Sequence, residues 1–139
     1  MPQNPDMNRI AKRDDWQNHP MPDARQSLAV DRRYTSREFA RLAEGVIPKE
    51  MEDKWFIFYE EPWLNLHRSW TGYCVYQVRF EPSEDDMLVA EAIVNRDDSQ
   101  YTETKDTDDV LLLCILFDGR AARPTEELWE QYRSTRRQD

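Results

Sequence analysis

The sequence predicts an α+β fold: a four-stranded antiparallel meander with helices packed on one face. Three observations point there. Four stretches between residues 54 and 95 are aromatic and β-branched, or alternate apolar with polar residues. The connections between them are short, which favours antiparallel neighbours over parallel crossovers. Segments with helical spacing and recognisable end signals flank the strands, and helices on such a sheet belong on one of its faces.

The elements follow in chain order. Residues 1–33 read as a polar, flexible N-terminal tail, in which Pro2, Pro5, Pro20 and Pro22 punctuate Asn, Gln, Asp and Arg. Such a segment buries too little apolar surface to offset the entropy of ordering it. Trp16 is the exception and can dock the tail. Residues 34–139 read as a single α+β domain. A helix is expected over 35–45: Thr35 and Glu38 have capping-box spacing, Phe39, Leu42 and Ala43 share one face, and Gly45 with Pro48 supplies the stop. Residues 54–60 read as the first strand, apolar on both faces. After the break at Glu61-Pro62, residues 63–69 alternate. Trp63, Asn65, His67 and Ser69 point one way, and Leu64, Leu66 and Arg68 the other.

Trp70-Thr71-Gly72 makes a turn into residues 73–80, where Cys74, Tyr76, Val78 and Phe80 share one face and Tyr73, Val75, Gln77 and Arg79 the other. An acidic turn at Pro82–Asp86 leads to a fourth strand at 87–95. The run Val110–Phe117 is apolar throughout. Leu-rich composition, the acidic Thr107-Asp108-Asp109 start and Gly119 favour a helix, with a fifth strand as the alternative. Thr125 caps a last helix in which Leu128, Trp129 and Tyr132 can pack and Arg133, Arg136 and Arg137 sit near the negative end.

The chain has 139 residues, 28 Asp plus Glu, 19 Lys plus Arg and a net charge of −9. This balance speaks against generic nucleic-acid binding and against a polybasic membrane anchor. The N-terminus has no apolar stretch of signal-peptide type, and no run is long enough to span a membrane, so a cytoplasmic location is expected. The charge is uneven: residues 81–109 hold eleven acids and two bases, which is the whole imbalance. One reading is a strand flanked by solvated acidic loops. The other is an acidic surface that steers a basic partner protein, with Asp97, Asp98, Asp108 and Asp109 as its contacts. With only Gly45, Gly72 and Gly119, no phosphate-binding loop can be written. Cys74, Cys114, His19 and His67 lack metal-site spacing, so neither a metal nor a cofactor is expected, and the cysteines read as small buried hydrophobes.

The informative stretch is Trp63–Gly72. Paired with residues 73–80, its face combines Trp63, Asn65, His67, Gln77 and Arg79, and Glu91 of the fourth strand lies where it can pair with Arg79 across the ladder. An Arg forks to carboxylate or phosphate, and an imidazole titrates near neutrality. The same residues also suit an ordinary polar outer face held by cross-strand pairs. Arg68, on the opposite face, calls for a carboxylate, with Glu38, Glu52 and Asp53 as candidates.

The runs Met51-Glu-Asp-Lys-Trp-Phe56 and His67-Arg-Ser-Trp-Thr-Gly72 resemble a short pattern in small uncharacterised bacterial proteins, over residues 46–80. The resemblance implies a bacterial intracellular setting and carries no activity, cofactor or catalytic residue. Two functions follow from the residues. The first is an acidic binding protein of immunity, inhibitor or adaptor type, acting through acidic residues and surplus Trp and Tyr. The alternative is a small enzyme or ligand-binding domain that uses His67, Arg79 and Glu91 on the open sheet face to take an anionic or nucleotide-like ligand.

Overall fold

The aromatic and β-branched runs pair into one antiparallel sheet in a computed structural model, which describes residues 10–102 and 105–137. Its strands are β1 (Arg25–Leu28), β2 (Arg33–Thr35), β3 (Trp55–Glu60), β4 (Trp63–Arg68), β5 (Cys74–Ser83) and β6 (Asp86–Asn95). The spatial order is β1-β6-β5-β4-β3, and β2 also pairs with β6. The expected meander is therefore β3 to β6, within a sheet of six strands rather than four. Of the two added strands, β1 lies in the segment read as a flexible tail and β2 straddles its end, with Arg33 in the tail and Tyr34 and Thr35 in the expected domain. Arg25 pairs with Asn95 and Leu28 with Ala92, while Tyr34 pairs with Met87. In β1 only Leu28 is buried, so the strand has no alternation for periodicity to detect. It is held by its ladder to β6, which needs no particular side chain. Residues 1–9 of the expected tail lie outside the described residues.

Three helices cover one face: α1 (Ser36–Glu44), α2 (Asp106–Arg120) and α3 (Glu126–Arg137). The capping box of α1 forms as spaced: Glu38 N–H donates to Thr35 Oγ1 at 3.1 Å, and Thr35 N–H donates to Glu38 Oε1 at 2.9 Å. Gly45 ends the helix at φ 73° and ψ −166°, and a Cβ there would run into the Ile57 carbonyl oxygen. The apolar run 110–117 is helical, and α2 buries Leu113, Cys114, Ile115 and Phe117. The core between the layers joins Tyr34, Leu64, Leu66, Tyr76, Val78 and Phe80 from the sheet to Leu42, Leu113 and Phe117 from the helices.

Two ladder irregularities adjust the faces. Between Leu66 and His67 the register with β5 shifts, so His67 pairs with Cys74 and Val75 is the extra residue. Strict alternation put Val75 on the outer face; the bulge turns it into the core on the helix side. A second shift follows Arg79, where Arg79 pairs with Glu91 and Phe80 with Val89. The acidic turn expected at 82–86 is shorter, because the ladder runs on to Ser83 and Asp86.

Candidate functional site

The outer sheet face brings Trp63, Asn65, His67, Gln77, Arg79 and Glu91 onto one surface, as alternation predicts. Trp63 pairs with Arg79, Asn65 with Gln77 and Arg79 with Glu91 across the ladders. The polar groups are then used on one another. Gln77 Nε2 donates to Asn65 Oδ1 at 2.9 Å, and Asn65 Nδ2 reaches the Trp63 carbonyl at 3.3 Å. The Arg79 guanidinium lies 3.3 Å from Glu91 and 3.5 Å from Glu81. The half with Arg79 and Glu91 is open to solvent.

His67 belongs to the other half, which is closed. It is only 3% exposed. Its Nδ1–H donates to the Gly72 carbonyl at 2.9 Å, and its ring stacks on Phe58 with centroids 5.5 Å apart. The N-terminal segment makes the cover. Ala11 packs on Phe56 and Phe58, Arg13 lies 5.0 Å over the Phe58 ring and pairs with Glu60, and His19 N–H donates to Gly72 O. Burial lowers the His67 pKa, opposed by the Gly72 hydrogen bond and reinforced by Arg13 and His19 nearby. The imidazole is a neutral core group rather than an accessible base, and it does not share an open surface with Arg79 and Glu91.

The four acids expected to face a partner divide in the same way. Asp98 is exposed, and Asp97 accepts Ser99 N–H at 2.9 Å and Ser99 Oγ–H at 2.6 Å. Asp108 and Asp109 are buried, which corrects their reading as surface contacts. Asp108 accepts the Thr135 hydroxyl at 2.5 Å. Asp109 accepts the Tyr76 hydroxyl at 2.6 Å and the Tyr101 hydroxyl at 2.7 Å, and pairs with Arg96 at 2.6 Å. Burial pushes its carboxyl above the usual carboxylate range, against the pull of those three donors. Both phenols are pushed up by the same burial. This buried cluster ties β5, the 97–102 connection and α2 together.

Arg68 also departs from expectation. It makes no ion pair with Glu38, Glu52 or Asp53. Glu38 is taken by Arg123 at 2.6 Å, and the Asp53 carboxylate caps Lys49 and Glu50 N–H. The Arg68 guanidinium instead lies 4.5 Å above the Trp55 ring and 6.0 Å from Tyr101. Among the described residues no three His, Cys, Asp or Glu gather as a metal site. Burial raises the Cys74 thiol to about 12, which makes it a poor nucleophile. No helix among the described residues is long and apolar enough to cross a membrane.

What the outer face lacks in free chemistry, the β4–β5 turn offers in exposed apolar surface. Trp70 is 69% and Met51 76% exposed. The two are joined, since the Trp70 indole N–H donates to the Met51 carbonyl at 2.9 Å. Trp16 reaches the same turn from the N-terminal segment, its indole donating to the Ser69 carbonyl at 2.6 Å. Gln17 fastens the turn through the Ser69 and Trp70 carbonyls. The carboxylates of Asp14, Glu50 and Glu52, next to these residues in the chain, are exposed. The surplus of Trp was the signal in the sequence; which of them would stand in solvent required the turn geometry. Comparison with family models, with curated proteins and with solved structures found no match for this chain.

Proposed function

We propose that this chain is a binding protein of inhibitor or adaptor type, and that it engages a basic partner protein through the tip formed by Trp70, Met51 and Trp16. The observation that carries the reading is the Trp70 indole: largely exposed, yet held in one orientation by the Met51 carbonyl. An exposed aromatic fixed in advance loses little freedom on binding, and Trp is the residue most enriched among interface anchors. The stretches around the tip mix exposed acids (Asp14, Glu50, Glu52) with exposed bases (Lys12, Lys49, Lys54), so the preference for a basic partner rests on the net charge of −9 of the whole chain. The enzymatic alternative has less support, because His67 is enclosed and Arg79 and Glu91 satisfy each other.

A photo-crosslinking residue placed at position 70, with a control at position 26 on β1, tests this in native cells. The expected result is one basic protein crosslinked from position 70 and none from position 26. W70A should then weaken the purified complex by about thirtyfold, a loss typical of an anchor residue, with the melting temperature unchanged. Equal crosslinking at both positions, or full affinity in W70A, overturns the proposal.

A further inference from the structure

A second feature lies away from the tip, where α2 and α3 lean over the ends of β3 and β4. A cleft of about 670 Å³ opens there, with apolar walls from Trp55, Leu112, Leu116 and Trp129. Beside it is a smaller hollow of about 410 Å³, lined by the polar residues Ser99, Gln100 and Thr102. Arg68, Leu112 and Tyr132 line both, so the two form one groove with an apolar and a polar end. Volumes of this size suit a small organic molecule.

Arg68 stands where the two ends meet. It is half-buried, and its guanidinium meets only the faces of Trp55 and Tyr101, with no carboxylate or hydrogen-bond acceptor among the described residues. A partly desolvated guanidinium with unused donors is an anion site in waiting, and its planar fork matches a carboxylate in two-point contact. The lining sets Glu52, Asp53 and Asp98 against Lys54, Arg68 and Arg120, so the groove has no excess of positive charge to favour a multiply charged ligand.

We infer that this groove binds a small organic monocarboxylate with an aromatic or branched aliphatic body. The acid group sits on Arg68, and the body lies between Trp55, Leu112, Leu116 and Trp129.

Titration of the full chain with 2-naphthoate, followed through the indole N–H resonances, tests the inference. The expected result is saturable movement of Trp55 and Trp129 but not of Trp16 or Trp70. The neutral analogue 2-naphthalenemethanol should bind at least tenfold more weakly, and 2-naphthyl phosphate more weakly than the carboxylate. R68M should abolish the preference for the acid over the alcohol, and R68K should keep part of it. Equal binding of acid and alcohol by the wild-type chain overturns the inference without reference to any variant, so a poorly folded R68M does not blunt the test. Tighter binding of the phosphate, or movement confined to Trp16 and Trp70, overturns it as well. Shifts of Trp55 and Trp129 that depend on protein concentration alone would give the groove to a second copy of the chain and also overturn it.

Discussion

Burial, with Arg13 and His19 nearby, lowers the pKa of His67, so folding favours the neutral ring. The unfolded chain then binds more protons between the lowered value and about 6.5. The stability His67 contributes is present above about pH 6.5 and is lost as the pH falls through its folded pKa. Urea denaturation at pH 8 and pH 5.5 should show a loss for the wild type that is smaller in H67Q. Asp109 offers a sharper case. D109A removes one partner of a buried pair and strands two phenols, and should cost about 3–5 kcal/mol. Y101F, which leaves Arg96 and Tyr76 on the carboxylate, should cost about 1 kcal/mol; both are read from urea midpoints. At this scale alternation made the contacts Asn65–Gln77 and Arg79–Glu91 legible. The burial of Asp109 was not, because Tyr76 and Arg96 reach it from distant positions and an acidic run reads as solvated.

Local signals worked best for α1, where cap, apolar face and stop agree. T35A should cost about 1 kcal/mol of stability. G45A should cost more: roughly 1–3 kcal/mol of backbone strain, with the collision at Ile57 O added. Thermal unfolding of the two variants orders them. Glu38 belongs to the same element, and its ion pair with Arg123 holds its carboxyl at about 2. Its contribution is therefore present above about pH 4.3 and fades as the pH falls toward 2, a fade that R123M should reduce but not remove from the acid limb of the stability curve, because the Thr35 hydrogen bond to Glu38 remains. The bulge opposite Leu66 and His67 is the converse. Nothing in residues 73–76 announces an extra residue, so a period-two reading carried Cys74 and Val75 to the wrong faces. Helix α2 was readable through its Leu content and its acidic start, but Gly119, expected as its stop, lies inside the helix, which runs on to Arg120, and no side chain caps its start.

At the scale of the molecule, the N-terminal segment is a structural layer. Residues 10–24 shield Phe56, Phe58 and His67, and β1 and β2 finish the sheet. Deletion of residues 1–24 should lower the melting temperature and raise binding of a hydrophobic dye, since two buried Phe rings become exposed. The segment escaped the sequence because its worth lies in backbone pairing and cover, while its composition resembles a disordered chain. That composition has a use in time. Arg25 is made long before its partner Asn95, and at synthesis rates of about 5–20 residues per second the strand spends seconds with no edge to join. A hydrophobic strand left waiting would be a template for aggregation. β1 waits as a short, charged stretch with a single buried apolar side chain, and its ladder can form only once β6 has left the ribosome.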